Sequence, residues 1–382
     1  MKVVVAGDFV PRKRVSSQIG QGLYESLFSD VKQVTNSCDF SIINLECPIT
    51  NQNTPLIKCG PHLRTSAHAI NALTYMGFGI VTLANNHFLD FGSEGAKDTI
   101  EVLNSNRILH VGGGENLQKA KETLYVKNEG CKLAIVNCCE HEFSIATDEN
   151  PGSNPLNPIQ QFRDIQEAKR KANYVIVIVH GGLEGCPYPS PRMQETYRFF
   201  VECGADAVVN HHQHCYSGYE CYMGKPIIYG LGNFSFDGAF SNVDLGWNIG
   251  YMVVLSFAKG NSTHDFELIP YIQGYDTPGV TLISGIEKDN ILSHIEELSK
   301  IISNPPQLTK AFNRYVDSHS EWYRIAFEPW GKGFRSLRKR GWLPSLVSKT
   351  KWLSLADYMM CEAHMDVIRR VLENKVTEIR ND

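Results

Sequence analysis

Three imidazoles fall within four positions of VVNHHQH (208–214), and other groups able to hold a divalent cation stand singly along the chain. They are Asp8 in AGD, Asn44 and Glu46 in NLECPIT, Asn86 and His87 in LANNHFLD, and His180 in VIVIVHGG. Carboxylate, amide and imidazole together form the ligand set of metals that activate water. Each of these residues alone says little. What they share is placement, since each ends or directly follows an apolar run. Asp8 follows Gly7, which permits a tight turn, and Pro48 stops the run that carries Glu46. His180 closes five consecutive Val and Ile residues and precedes two glycines that let backbone approach closely. A buried ring after such a run must find a polar partner, and a cation is a strong one. If 208–214 is extended, side chains alternate, so His212 and His214 form a two-toothed chelate. His211 and Gln213 then face the other way, which leaves His211 a supporting role.

The runs carrying these residues are short and β-branched: 3–7, 40–46, 80–86, 133–139, 174–180, 207–210, 225–230 and 251–257. They alternate with helical candidates at 65–77, 93–106, 159–172 and 190–203, a rhythm that predicts an α/β body. In open α/β sheets the loops beyond the carboxyl ends of the strands converge on one pocket, so the repeated placement of polar residues there marks an active site. PGSNPLNP (151–158), dense in Pro, Gly and Asn, reads as an exposed loop. After about residue 280 the pattern becomes helical without strand runs, dividing the chain into a 1–278 body and a 279–382 helical extension. Within the extension, residues 330–353 hold seven Lys or Arg and no acid, interleaved with Trp330, Phe334, Trp342 and Trp352. A solvated helical face whose tryptophans pack on the main body accounts for that stretch. A peripheral membrane or lipid-linked sugar contact is the alternative.

The 382 residues are 42% hydrophobic and 20% charged, which is globular composition, and a net charge of -4 argues against a nucleic-acid partner. No run approaches the roughly 18 apolar residues needed to span a bilayer. The N-terminal MKVVVAGDFV passes from one lysine into a strand pattern without the features of a signal peptide, so a cytoplasmic protein is expected. Eleven cysteines without CxxC spacing predict reduced thiols.

In order along residues 1 to about 275, the initial GD, NLECPIT, LANNHFLDFG, HVGGGENLQKA, HGGLE, ADAVVNHHQH and GKPIIYGLGNFSFD resemble the bacterial capsule-synthesis family named for poly-γ-glutamate capsules (CapA-type). That family is a branch of the calcineurin-like metallophosphoesterases. The resemblance implies an α/β sandwich of two β-sheets flanked by helices around a metal centre. It places Asp8 and His214 on one cation, Asn86, His180 and His212 on another, and Glu46 between them. The cofactors implied are one or two divalent ions per chain, Mn, Fe or Zn. Calcineurin-like enzymes carry a histidine two residues after the first Asp, whereas Val10 stands there in this chain and thins the shell of one metal.

Such a centre would hydrolyse a phosphoester or related anionic bond, two ions about 3.5–4 Å apart lowering the pKa of a bound water. His87 would protonate the leaving group or steady its developing charge, with Asp90 orienting the ring. Asn44, Glu184 and Asn233 are candidates for substrate contact. The expected substrate is an anionic small molecule or polymer of capsule, exopolysaccharide or poly-γ-glutamate biosynthesis. Two other readings stay open: a non-catalytic metal-bearing scaffold of capsule assembly, and a hydrolase of γ-glutamyl amides, because a dimetal centre polarises carbonyls too.

Overall fold

Near-continuous apolar runs predict strands buried on both faces, and the computed structural model, which describes residues 1–237, 245–258, 265–328 and 332–381, contains two sheets built from them. The strands among the described residues are β1 (Lys2–Val10), β2 (Phe40–Leu45), β3 (Ile80–Thr82), β4 (Leu109–Val111), β5 (Gly113–Gly114), β6 (Leu124–Asn128), β7 (Cys131–Cys139) and β8 (Gly152–Ser153). They continue with β9 (Tyr174–His180), β10 (Ala207–His211), β11 (Tyr219–Tyr222), β12 (Lys225–Ile228), β13 (Asn233–Phe236), β14 (Ile249–Ser256), β15 (Asp265–Gln273) and β16 (Val280–Leu282). The larger sheet runs β16-β15-β14-β1-β2-β3-β4, with β13 beside the end of β1. The second runs β11-β12-β10-β9-β7-β6, and β5 pairs with β8 in a separate ladder. The centre of each sheet is parallel: β1 to β4 in one, and β7, β9, β10 and β12 in the other.

Residue parity sorts the side chains into three apolar layers. Val3, Val5, Ile42 and Ile80 of the larger sheet meet Ile135, Ile176, Ile178 and Val209 of the second in one buried cluster. The intervening Val4, Ala6, Ile43 and Val81 pack with Val15, Ile19, Phe28 and Ile70 of the helices Lys13–Gly20, Tyr24–Thr35 and Ala69–Met76. Val175, Val177 and Val179 lie against Ile165, Met193, Tyr197 and Phe200 of the helices Pro158–Lys171 and Pro191–Glu202. Two sheets share a middle core and each carries helices on its outer face, which is the sandwich the resemblance implies. Truncating a middle-layer residue such as Ile178 to Ala would cost roughly 2–5 kcal/mol, because neither rigid sheet can collapse into the void.

The chain divides into two compact bodies, Met1–Ala311 and Phe312–Asp382. The first contains β16 and the helix Gly285–Ile302, whose Ile291 and Ile295 enter the middle layer, so sheet and core continue past residue 278. The segment 151–158 departs from the exposed loop its composition predicts. Ser153 and Asn154 are buried, and Gly152–Ser153 forms β8 against β5. The cause is hydrogen bonding: Ser153 Oγ donates to the carbonyls of Leu83 (3.1 Å) and Asn85 (2.9 Å), and Asn154 Nδ2 donates to that of Asn137 (2.8 Å). These polar residues satisfy backbone groups that would otherwise be buried without partners.

The second body is helical, with Lys332–Lys339, Lys349–Met360, Glu362–Asn381 and the later part of Pro305–Ala326. Glu328 is buried and accepts from Ser345 Oγ and from the Leu346 N–H at 2.8 Å, which ties the chain after the basic helix back upon itself. Trp342 is 69% exposed, Trp352 stands edge-on to Phe327 at 5.8 Å, and Trp330 lies outside the described residues. Among the described residues, no helix is long and apolar enough to cross a membrane.

Candidate metal centre

The carboxyl ends of the central strands place one row of polar side chains from each sheet on the inner face. In the larger sheet Asn233, Asp8, Asn44 and Thr82 are register neighbours across β13, β1, β2 and β3. In the second, Cys139, His180 and His211 are neighbours across β7, β9 and β10. Asp8 reaches this row through a bulge. In β1 the odd residues Val3 and Val5 face inward, yet Asp8 pairs with inward-facing Asn44 because the register slips between Ala6 and Asp8. Gly7 is the extra residue, and only glycine fits there: a Cβ would lie 2.0 Å from the Gly232 carbonyl oxygen.

The opening His cluster is built differently from the extended segment its alternation predicts. β10 ends at His211, and the backbone then turns through left-handed conformations at His212 (φ 92) and His214 (φ 56). That turn directs His212 and His214 inward. His211 does not face away, because it is the register neighbour of His180, and its Nδ1 stands 3.2 Å from Asp8 Oδ1. Positive φ on two non-glycine residues is backbone strain of the kind that concentrates at functional sites.

Two groups of ligand atoms result, each with its members within 4.8 Å of one another: Glu46, His180 and His212, and Asp8, Glu46 and His214. Glu46 is common to both. Asn86 belongs beside the first group, since its Oδ1 lies 3.0 Å from His180 Nε2, and His212 Nδ1 lies 3.0 Å from the same nitrogen. Asn44 Nδ2 donates to Asp8 Oδ1 at 2.7 Å and lies 3.2 Å from His180 Nδ1, linking the two sheets, while its Oδ1 accepts from Thr82. Asn233 Oδ1 accepts a hydrogen bond from His214 Nδ1 at 2.9 Å, which leaves Nε2 facing Glu46 at 3.8 Å. Asn44 and Asn233 thus spend their polar atoms on holding candidate ligands. Glu184 is exposed, and its charge is felt by Glu46, Glu142 and His214.

The electrostatics describe an anionic pocket short of a partner. Glu46 is fully buried, and neither carboxylate oxygen has a hydrogen-bond partner among the described residues. Burial, then the Asp8 charge, push its carboxyl well above the usual range. Burial also raises Asp8, but the His211 and His214 rings beside it, with Nδ1 atoms 3.2 and 3.6 Å from its oxygens, outweigh that and hold Asp8 well below the usual range. Burial and the neighbouring rings drive His180 well down and His212 down to about 3, so both are neutral and able to ligate. Burial would lower His214 as well, yet Glu46 and Asp8 raise it to about 10. A divalent cation fits this donor set: it would give Glu46 a closer positive partner than the His214 ring 3.8 Å away and displace the proton that ring otherwise holds.

His87 lies beside this cluster, held by a buried ion pair. Its Nδ1 is 2.6 Å from Asp90 Oδ2, which also accepts the Leu63 N–H, and Lys58 Nζ is 2.5 Å from Asp90 Oδ1. Burial lowers the His87 pKa, opposed by Asp90 and aided by Lys58, so the ring favours its neutral form. Ser144 Oγ donates to the Asn86 carbonyl at 2.7 Å and Ser153 Oγ to that of Asn85, fixing the corner that carries Asn86 and His87.

Sequence reasoning overlooked Lys58 and Glu142. Glu142 stands three residues past the apolar run LAIVNCC of β7, just beyond the positions that end or directly follow such a run. Its Oε2 accepts from Asn86 Nδ2 at 2.9 Å, its Oε1 is 3.5 Å from His212 Nε2, and burial raises its pKa. Lys58 lies in a stretch of loop with no such signal.

Residues 2–238 match the family described as Bacterial capsule synthesis protein PGA_cap. The chain is similar to "Capsule biosynthesis protein CapA" of Bacillus anthracis, 31% identical over 246 residues that make up 62% of this chain and 60% of that protein. It is also similar to "PGA biosynthesis protein CapA" of Bacillus subtilis (strain 168), 30% identical over 298 residues, 77% of this chain and 76% of that one. Among solved structures, a putative 5'-nucleotidase from Staphylococcus aureus aligns at 16% identity with a TM-score of 0.46, covering 78% of this chain and 58% of that one. The chain therefore spans about three fifths of the Bacillus anthracis relative's length.

Proposed function

The chain belongs to the bacterial capsule synthesis family PGA_cap, and from that premise we propose that it is a metal-dependent hydrolase of phosphoester or related anionic bonds acting in capsule or poly-γ-glutamate biosynthesis. One observation carries the reading: Glu46, buried with neither oxygen hydrogen-bonded among the described residues, stands between two sets of acid, amide and imidazole groups. Asp8 and His214 would hold one divalent cation, Asn86, His180 and His212 a second, with Glu46 common to both. Val10, where related phosphoesterases carry a histidine, is core, so the Asp8 side offers fewer ligands. When bound, such cations lower the pKa of water and stabilise charge on the attacked and departing oxygens.

The chain's own residues do the rest. Asn44 and Asn233 orient Asp8 and His214. Asp90 holds His87 at Nδ1, which leaves Nε2 to exchange a proton with the reacting oxygen. Thr82 fixes the Asn44 amide, and the candidate ligands are themselves buried.

Release of nitrophenol from an aryl phosphate with added Mn²⁺ tests this. Activity is expected in the wild-type chain and not in His180→Ala. His87→Ala should keep its metal while losing turnover about 100- to 10,000-fold, the span of general acid–base catalysis. Metal uptake with no phosphate release in any variant would contradict the phosphoesterase. It would leave the scaffold and the γ-glutamyl amide hydrolase, which a γ-glutamyl oligomer substrate separates.

A further inference from the structure

Glu142 meets two of the candidate ligands at once, and it meets each at the atom turned away from the cluster. Its Oε2 accepts from Asn86 Nδ2 at 2.9 Å, and its Oε1 lies 3.5 Å from His212 Nε2. The opposite atoms of those side chains, Asn86 Oδ1 and His212 Nδ1, each lie 3.0 Å from His180 Nε2. Asn86 comes from the corner after β3, His212 from the turn after β10, and Glu142 from the segment after β7, so one carboxylate joins three separate loops at the mouth of the pocket.

We propose that Glu142 is the positioning residue that fixes the amide orientation of Asn86 and the tautomer of His212, turning both toward a single divalent cation shared with His180 and Glu46. The inference rests on the metal-centre reading above.

The chemistry follows from what a carboxylate can do. It only accepts hydrogen bonds, so both groups facing it must donate. Asn86 must present Nδ2 to Glu142 and therefore Oδ1 to the cluster. Rotated by half a turn, the amide would offer a cation its N–H groups. His212 must carry its proton on Nε2, which leaves Nδ1 bare, and a neutral imidazole ligates only through its bare nitrogen. Partners of this kind orient ligands throughout metalloprotein chemistry, and their loss typically lowers metal affinity about 10- to 100-fold.

Glutamine distinguishes orientation from simple packing. In Glu142→Gln the shape is kept, but one end of the side chain becomes a donor, so either Asn86 or His212 is turned the wrong way whichever orientation the amide takes. In Glu142→Ala, water can replace both acceptors. The proposal therefore predicts that the conservative variant is at least as damaging as the truncation. A packing role predicts the reverse.

The experiment titrates Mn²⁺ into metal-free full-length wild type, Glu142→Gln and Glu142→Ala by calorimetry, with Glu46→Ala as a non-binding control. In parallel, ¹⁵N spectra of the imidazoles report the His212 tautomer. Expected are a Kd weakened about 10- to 100-fold in Glu142→Gln, and an Nε2–H tautomer in the wild type that is lost or mixed in that variant. Glu142 has 36% of its side chain exposed, so both variants should fold, which the melting temperature checks. An affinity within twofold of wild type in Glu142→Gln, with the tautomer unchanged, would overturn the proposal. If the wild-type chain takes up no Mn²⁺, the metal-centre reading fails, and the His212 tautomer in metal-free protein still decides for or against Glu142.

Discussion

Lys58 and Asp90 form an ion pair with no access to water. Lys58 Nζ is 2.5 Å from Asp90 Oδ1, with side-chain exposures of 1% and 0%. The two partners are not equally replaceable. Asp90 Oδ2 keeps the Leu63 N–H at 2.6 Å and His87 Nδ1 at 2.6 Å if Lys58 is lost. Lys58 without Asp90 would retain His87 Nδ1 at 3.4 Å and the Phe143 ring, with Nζ 5.0 Å from its centroid, neither of which is a counter-ion. Leaving one member of a buried pair uncompensated costs about 3–5 kcal/mol. Asp90→Asn should therefore destabilise the Met1–Ala311 body by about that amount. Lys58→Met, which leaves a carboxylate with two donors, should cost less, about 1–3 kcal/mol. In the double variant no stranded ammonium remains, so its cost should fall short of the sum of the singles by about 2 kcal/mol or more. Urea denaturation followed by hydrogen exchange of the β1 and β9 amides reports on this body alone. Additivity within about 0.5 kcal/mol, or a cost below about 1 kcal/mol for Asp90→Asn, would refute the view that this pair is desolvated and mutually dependent.

The pocket's pKa shifts predict a pH dependence with a definite sign. His214 is raised to about 10 in the metal-free chain, so its contribution to stability is fully present below the unfolded value of about 6.5 and is lost as pH rises through 10. Glu46, also raised, adds a loss of the same sign. Because the two groups share one charge pair, metal-free protein should lose stability as pH rises from 7 to 9, by at most about 1.4 kcal/mol per pH unit for each proton released, and the metal-loaded chain should not. Denaturation curves that coincide across that window would contradict the assignment. Gly7→Ala should force β1 and β13 apart, since the new Cβ would meet the Gly232 carbonyl oxygen at 2.0 Å. A stability loss of about 3 kcal/mol and a fall in Mn²⁺ affinity are expected, and wild-type affinity in that variant would show that the bulge does not set Asp8.

Much of the site is readable in the sequence because one physical rule places it. A polar residue at the carboxyl end of an apolar run has only the inner mouth of a sheet to face, and Asp8, Asn44, His180 and the His211–His214 stretch all obey that rule. Glu142 lies just outside that rule, because its run ends three residues earlier at Cys139. Alternation fails where the backbone leaves the ideal strand. The bulge at Gly7 reverses the face of Asp8, and left-handed φ at His212 and His214 turns those rings inward by a route no period-two pattern describes. The helices Pro158–Lys171 and Pro191–Glu202 carry their start signals openly: Asn157 and Ser190 cap them and Pro stands in their first turns. The burial of 151–158 is not legible. Its Pro, Gly and Asn content describes a turn equally well at the surface or, as here, folded under the Asn85 corner. Lys58 is invisible for a related reason, since its partner Asp90 is 32 residues away and neither lies in a periodic element.

The central claim is that Asp8, Glu46, Asn86, His180, His212 and His214 converge on divalent cations with Glu46 shared. Its most direct test is elemental analysis of the purified chain after equilibrium dialysis against Mn²⁺ or Zn²⁺, beside Glu46→Ala. The account predicts one or two bound ions per chain in the wild type and essentially none in the variant. An unchanged metal content in Glu46→Ala, or no metal in either, would contradict it.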